Sequence, residues 1–301
     1  MPASLTHSGR TIGLTCHMAV LSGRHRPNSR AAIRECLDAG AARLELDIHS
    51  LDGADYIVSH DRRLNDDTTG SGPLGKATPA DVRACRFLDD PDDRPCLLSE
   101  VVALAAGCPT ALQLDLKDWR PMPADRVQTL LDVIAPIHDR IIVTTGQDWN
   151  LRRLNAADAA IAIGFDPGHY LDWIPEGAQT LLPRSTGAYG YRDEHPLAIG
   201  RTEATPDYLR ERMATLVAQV PYAHEYFLNY RMILQMLKDG FNVAGWLHER
   251  GREVTAWTPD YRDERSVPVL VGLIEAEVDR VTTNTIPAWV EAFAEEELKS
   301  A

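Results

Sequence analysis

The chain predicts an α/β fold closed into a (β/α)8 barrel, the TIM-barrel architecture, and three observations lead there. Short β-rich runs alternate with helical patterns almost from end to end, the mark of parallel βα units. Eight such runs can be read in the sequence, the number that closes a barrel. The length, 301 residues, exceeds the roughly 250 of a plain barrel and leaves room for decoration without a second domain, so 1–301 is read as one domain.

The eight strand candidates, in order, are Thr11–Thr15, Arg43–Ile48, Ala111–Leu116, Arg140–Thr144, Ala160–Phe165, His224–Leu228, Glu253–Trp257 and Arg280–Thr283. Helices between them are read from apolar residues three and four apart, as in Ala31, Ile33, Cys36 and Leu37, in Val127, Leu130, Leu131 and Ile134, and in Met232, Leu234, Met236 and Leu237. Gly40 and Gly240 stand just past two of these helices, where a left-handed cap is wanted. Tyr56–Ser59 reads as an extra short strand, folded back through the turn Asp52-Gly53 as a hairpin. Asp61–Pro95, rich in Asp, Arg, Gly and Pro, is an insertion over the barrel mouth following the His60-Asp61 strand end, and Pro183–Pro206 is a second irregular stretch over the same mouth. Glu295–Glu297 reads as part of a frayed acidic terminus.

Composition narrows the function classes. Hydrophobic residues make up 44% and charged ones 25%, an ordinary globular balance. A formal net charge of −13 argues against a nucleic-acid partner, which would need a basic surface, while leaving room for a local cationic pocket around a phosphate. The first sixteen residues hold no apolar core flanked by basic ones, and no run approaches the roughly 20 apolar residues of a membrane span. A soluble cytoplasmic protein without membrane insertion is therefore expected. Five cysteines are an odd number without metal-ligand spacing, which disfavours a disulfide framework, although Cys85 and Cys96 lie close enough to pair across a loop.

The most informative stretch is Arg43-Leu44-Glu45-Leu46-Asp47-Ile48. On a strand, Glu45 and Asp47 point to one side and Leu44, Leu46 and Ile48 to the other. Two neighbouring carboxylates repel and resist desolvation unless a cation or donors compensate, and a hard divalent ion does this well. A strand with its charges turned outward fits the same pattern. The motif recurs in Leu112-Gln113-Leu114-Asp115-Leu116-Lys117: Asp115 could be a third carboxylate ligand and Lys117 a phosphate contact, or the two could form a surface ion pair. His17 follows the first strand and His60 ends the hairpin strand. Two histidines at barrel-strand ends beside an acidic cluster suit the exchange of protons in phosphodiester cleavage.

The run Cys16-His17, Arg26-Pro27-Asn28-Ser29, Glu45-Leu46-Asp47, Leu51-Asp52-Gly53, His60-Asp61-Arg62-Arg63-Leu64, Thr68-Thr69-Gly70 resembles, in order and spacing, the N-terminal signature of the glycerophosphodiester phosphodiesterase family. Further on, Asp115-Leu116-Lys117, Ala256-Trp257-Thr258 and Val278 to Asn284 resemble its later strands, so the resemblance runs from about Gly13 to Pro287. It implies that His17 and His60 are the general acid/base pair and that Glu45, Asp47 and Asp115 hold a divalent metal, Mg²⁺ or Ca²⁺. It also implies that Lys117 contacts the phosphate and Trp257 walls the pocket, with a small-molecule phosphodiester as substrate. Three departures stand out: Met18-Ala19 replaces Arg-Gly, Asp115 replaces Glu, and Asn284 stands where Asp is usual.

His-Met, Asp-x-Lys and Thr-Asn are also features of the related sphingomyelinase D-like and phospholipase D-like barrels. Those transfer the phosphoryl group to a hydroxyl and leave a cyclic phosphate or a new diester. The long His17–Glu45 spacing and the insertion after His60-Asp61 are closer to the glycerophosphodiesterases. The resemblance thus implies hydrolysis of a glycerophosphodiester-like substrate to a phosphomonoester and an alcohol. Phosphoryl transfer is the alternative, and an inactive barrel that binds a phosphate ester is a third reading.

Arg24, His25 and Arg26 could stand in for the missing arginine, Arg26 foremost, or could be a solvated loop. Trp119, Trp149 and Trp173 are candidates for the wall of a leaving-group pocket, or for packing. Thr144-Thr145-Gly146-Gln147 ends a further strand. Cys16 is not a nucleophile, because it points away from the side His17 takes.

Overall fold

The computed structural model describes residues 1–173, Tyr191 and 203–300, with side chains through residue 294. The irregular stretch read at Pro183–Pro206 falls almost wholly outside the described residues. The chain opens with β1 (Ser4–His7), which pairs antiparallel with β2 (Arg10–Cys16). Then follow β3 (Arg43–Ser50), β4 (Tyr56–Val58), β5 (Ala111–Leu116), β6 (Ile141–Thr145), β7 (Ala162–Phe165), β8 (Glu225–Asn229), β9 (Glu253–Trp257) and β10 (Arg280–Thr283). Parallel pairing runs β2-β10-β9-β8-β7-β6-β5-β3, and the bridge between Cys16 of β2 and Leu44 of β3 closes the ring. The fold is the expected (β/α)8 barrel, its eight strands matching the eight candidates to within two residues at each end.

The helices between the strands are α1 (Arg30–Asp38), α2 (Pro79–Ala84), α3 (Leu98–Ala105), α4 (Ala124–Ile134), α5 (Asp148–Ala157), α6 (Thr205–Gln219), α7 (Tyr230–Lys238), α8 (Val243–His248), α9 (Val267–Glu275) and α10 (Ile286–Ser300). In α1, the Ser29 hydroxyl accepts from the Ala32 N–H as an N-cap, and Ala32, Ile33, Cys36 and Leu37 are the buried face. Gly40 and Gly240 adopt φ of +68° and +89°, the left-handed conformation their places after α1 and α7 require. The Glu295–Glu297 backbone lies within α10.

Strand alternation divides the residues between two layers. Leu44, Leu46, Ile48, Leu112, Leu114 and Leu116 are buried in the main core, and their alternates, Glu45, Asp47, Gln113 and Asp115, share the other face. Register does the rest, pairing Glu45 with Gln113 and Asp47 with Asp115. A close approach explains Gly164: a Cβ there would meet the Phe227 ring at 2.5 Å and the Thr144 methyl at 2.6 Å.

β4 forms the predicted hairpin on β3, with Ile48 opposite Val58. The insertion at Asp61–Pro95 has more order than its composition suggests. It carries α2, closed by a capping box between Thr78 and Asp81, and Leu64, Leu74, Ala77, Val82 and Cys85 join Leu51, Ile57 and Leu97 in a small second core. Cys85 and Cys96, which sequence spacing allowed to pair, are both free thiols, as are the other three cysteines. Among the described residues, no helix is long and apolar enough to cross a membrane.

Candidate active site

The C-terminal strand ends of the barrel form its mouth, where such folds place their chemistry. Carboxylate oxygens of Glu45, Asp47 and Asp115 lie within 4.8 Å of one another there. The Glu45 and Asp47 side chains are only 4% and 2% exposed, so the reading of Glu45 and Asp47 as an outward-facing pair does not hold. Lys117 Nζ sits 2.5 Å from Asp115 Oδ2 and 2.9 Å from Asp47 Oδ1, making an inward ion-pair triad. Asn28 Nδ2 donates to Asp47 Oδ2 at 2.8 Å.

These contacts split the carboxylates electrostatically. Burial, then the charges of Asp47 and Asp115, push the Glu45 carboxyl well above the usual carboxylate range. Burial works the same way on Asp47, but the Lys117 charge and hydrogen bonds from Lys117 and Asn28 outweigh it and hold that carboxyl low. Burial opposes the Lys117 ammonium too, yet Asp115, Asp47 and Glu45 together raise its proton affinity. One ammonium among three clustered carboxylates leaves an uncompensated negative charge. An all-oxygen donor set of this kind fits a hard divalent cation.

His17 begins a single 3₁₀ turn after β2, in which Met18 and Ala19 both take positive φ, +50° and +56°. Non-glycine residues adopt that conformation at a cost. What it achieves is visible in one contact: the Met18 N–H donates to Glu45 Oε2 at 2.7 Å. The position that carries arginine in the resembling family thus acts here through its backbone.

The His17 imidazole is oriented from behind. Its Nδ1 lies 2.9 Å from Asn284 Oδ1, and Asn284 Nδ2 donates to Asp260 Oδ2 at 3.0 Å. A carboxylate only accepts, so Asp260 fixes the Asn284 amide with its oxygen toward His17, and His17 Nδ1 must carry the proton. Nε2 is left facing the cavity, 3.9 Å from Glu45 Oε2. Asp260 Oδ1 also accepts from the Asn284 N–H (2.8 Å) and the Thr283 hydroxyl (2.9 Å).

A cavity of about 260 Å³ opens in the mouth, and His17, Glu45, Asp115, Lys117 and Trp257 all line it, with Gln113, Thr144, Asp166, Phe227, Thr258 and Thr282. Burial raises the Asp166 carboxyl to about 7 against the hydrogen bond it accepts from Gly168 N. A neighbouring cavity of about 560 Å³ is lined by Arg24, His25, Arg26, His60, Asp61 and Phe87, among others. His60 belongs to this second space, and its side chain is 63% exposed.

Arg26 does not reach the barrel cavity. Its guanidinium is held by Asp89 (2.5 Å) and Asp67 (2.6 Å) and lies 4.5 Å over the Phe87 ring, while Arg24 is bound to Glu35 at 2.7 Å. Neither replaces the missing arginine within that cavity. Trp119 lies exposed under the Arg62 guanidinium, and Trp173 packs against the main core. Cys16 is fully buried and interacts with Cys36 on the side away from the cavity. Sequence reasoning passed over Gln113, Asp166, Asp260 and Thr282. Gln113, Asp166 and Thr282 share one signal, a polar residue in or just beyond a barrel strand in phase with its lumen-facing positions, whereas Asp260, three residues past β9 and out of that phase, carries none.

Barrel and mouth together define a (β/α)8 protein whose strand ends gather a carboxylate cluster, a lysine and an oriented histidine. Residues 21–287 match the Glycerophosphoryl diester phosphodiesterase family. A Mycobacterium tuberculosis protein named "Probable glycerophosphodiester phosphodiesterase 2" is 24% identical over 283 residues, covering 93% of this chain and 89% of its own length. Among solved structures, an Oleispira antarctica phosphodiesterase in complex with the product sn-glycerol-3-phosphate superposes with a TM-score of 0.65 at 14% identity, over 93% of this chain and 96% of that one. A Thermotoga maritima glycerophosphodiester phosphodiesterase gives 0.59 at 17% identity, over 95% and 99%. The chain belongs to the glycerophosphoryl diester phosphodiesterase family.

Proposed function

We propose that this chain, working as one barrel domain, hydrolyses a glycerophosphodiester-like substrate to a phosphomonoester and an alcohol, with His17 and His60 as proton carriers. The observation that carries the reading is the shared cavity: His17, Glu45, Asp115 and Lys117 line the same small volume, with Asp47 clustered against the two carboxylates. Glu45, Asp47 and Asp115 would hold the Mg²⁺ or Ca²⁺, which when bound polarises a phosphoryl oxygen and offsets developing charge.

Lys117 anchors the phosphate by a charge-assisted hydrogen bond, and Trp257 closes one wall of the cavity. Water attacks phosphorus and the P–O bond to the leaving alcohol breaks. One proton leaves the attacking water for a histidine, and one passes from a histidine to the departing oxygen. Asn284 keeps the His17 proton exchange at Nε2, and the exposed His60 can trade its proton with solvent. The relative bound to sn-glycerol-3-phosphate supports a glycerol-bearing product.

Phosphoryl transfer remains a second reading, favoured by Met18 and Asn284 at positions where the family carries Arg and Asp. One experiment separates the two: glycerophosphodiesters, lysophospholipids and sugar phosphodiesters incubated with and without chelator, with products followed by phosphorus NMR. Monoester that forms only without chelator is the expected result. A cyclic phosphate signal without monoester would overturn hydrolysis. No metal uptake by calorimetry, together with no turnover, would leave only a binding barrel.

A further inference from the structure

Arg26 lies outside the barrel cavity, yet it heads the turn that touches the carboxylate cluster. Arg26-Pro27-Asn28-Ser29 is closed by the Ser29 N–H on the Arg26 carbonyl at 3.2 Å, with proline second and Asn28 third at φ +59°. That is the pattern of a type II turn, whose third residue must take positive φ, a conformation asparagine tolerates better than most. The turn is fastened at its end by Ser29, which caps α1 through the Ala32 N–H and bridges Pro95. Within it, Asn28 serves the site: its Nδ2 donates to Asp47 Oδ2 at 2.8 Å, and its N–H to the Met18 carbonyl at 2.7 Å. Met18 in turn donates its N–H to Glu45 Oε2. The start of the turn is held by the insertion. Arg26 Nη2 meets Asp67 Oδ2 at 2.6 Å and Nη1 meets Asp89 Oδ1 at 2.5 Å, over the face of Phe87. Asp67 and Asp89 are brought together independently of Arg26: the Leu88 N–H donates to the Asp67 carbonyl at 3.0 Å, and Thr68 bridges Phe87. A planar guanidinium reaches both carboxylates at once.

We infer that Arg26 is a positioning residue: the insertion grips its guanidinium, and through the Pro27 turn that grip aims Asn28 at Asp47 and holds Met18 against Glu45. The inference rests on the reading of Glu45, Asp47 and Asp115 as ligands of a divalent ion. Pro27 makes the coupling stiff, because its ring fixes its own φ and confines Arg26 to extended backbone. Groups that orient metal-binding carboxylates are typically worth roughly 10- to 100-fold in ion affinity. The Asp61–Pro95 insertion thus braces the ion site from a distance, although none of its described residues lines the barrel cavity.

The test is calorimetric titration of the metal-free protein with Mg²⁺ and with Ca²⁺, with melting temperature followed in parallel, for the parent, Arg26→Met, Asn28→Gly and the double variant. Methionine keeps an apolar stem over Phe87, and glycine accepts the positive φ while lacking the amide. Asn28→Gly should weaken ion binding roughly 10- to 100-fold and Arg26→Met roughly tenfold, with Arg26→Lys restoring part of that loss. Sign separates this from simple electrostatics, because removing a positive charge near a cation site would by itself strengthen binding. Since Arg26 works through Asn28, the double variant should lose no more than Asn28→Gly alone. Arg24→Met, in the same loop but paired with Glu35, should bind the ion like the parent or slightly better. Parental or tighter binding by Arg26→Met overturns the inference, as does an equal loss in Arg24→Met. A double variant whose loss is the product of the single losses overturns it too, since Arg26 would then be a structural contact alone. Each of these leaves the phosphodiesterase reading standing. A parent that binds neither ion removes the metal reading, and the inference falls with it.

Discussion

Replacing Asp260 by alanine removes nothing from the cavity wall, yet it should slow the reaction through His17. In the intact chain Asp260 Oδ2 accepts from Asn284 Nδ2, which turns Asn284 Oδ1 toward His17 Nδ1. Without that acceptor the amide is free to present either end, and an amide N–H facing His17 forces the proton onto Nε2, the atom that exchanges protons with substrate in the proposed reaction. The bond lost is charge-assisted and worth about 1.5–3 kcal/mol, so kcat should fall roughly 10- to 150-fold with KM little changed. Two further hydrogen bonds, from Thr283 and the Asn284 N–H, disappear as well, so melting temperature must be followed and kcat referred to folded protein. In ¹⁵N-histidine NMR, the His17 signal should move from a pure Nδ1–H tautomer to a mixture. The exchange variant, Asp260→Asn with Asn284→Asp, puts a carboxylate against His17 and an amide behind it and should recover most of the rate. Parental kcat in Asp260→Ala, or a rate loss with the His17 tautomer unchanged, would refute the reasoning.

Three other outcomes follow from the same geometry. Glu45 keeps its proton to unusually high pH because of burial and its carboxylate neighbours, so divalent ion uptake near neutrality should expel a proton and strengthen as pH rises. Calorimetry in buffers of different ionisation enthalpy measures the release, which Glu45→Gln should abolish; tight uptake with no proton released would contradict the electrostatics. Asp166, raised to about 7 by burial, binds a proton in the folded state between its unfolded value and 7. It therefore costs stability as pH rises through that window, by at most about 4 kcal/mol above pH 7 and less as solvent reaches the mouth. Asp166→Asn should gain on the parent in melting temperature from pH 5 to pH 8, and parallel curves would exclude the effect. Gly164→Ala would drive a Cβ into Phe227 and Thr144, costing about 1–3 kcal/mol and lowering the melting temperature by several degrees; an unchanged value would mean that these strands pack differently.

The barrel was legible because short β-rich runs recur between helical patterns, and strands such as β3 and β5 also alternate apolar with polar residues, a period that shows in one sequence. β1 was not, since its four residues offer a single buried side chain, Leu5. The order of the insertion was hidden for a related reason: its core draws Leu64, Leu74 and Val82 from scattered positions and completes itself with Leu51, Ile57 and Leu97 from outside the segment. Glu45, Asp47, Asp115 and Lys117 were legible as a group because alternation and parallel register place them side by side once the strands are known.

What could not be read was how the departures from the family pattern are made good, since that depends on contacts distant in sequence. Asn284 in place of the usual Asp looks like the loss of a charge behind His17, a residue 267 positions away. The structure puts a carboxylate one residue further back, at Asp260, so the chain keeps an oriented His17 while the side chain touching it is neutral. A neutral partner fixes the tautomer without stabilising a charged imidazole as a carboxylate would. Met18 differs, because it offers Glu45 its backbone N–H and supplies no cation, while Arg24 and Arg26 are committed to Glu35, Asp67 and Asp89. Lys117 is thus the one Lys or Arg among the described residues lining the barrel cavity. In the proposed reaction the grip on phosphate must come from Lys117 and the divalent ion together, which makes chelation more damaging to this chain than to a relative that keeps the arginine.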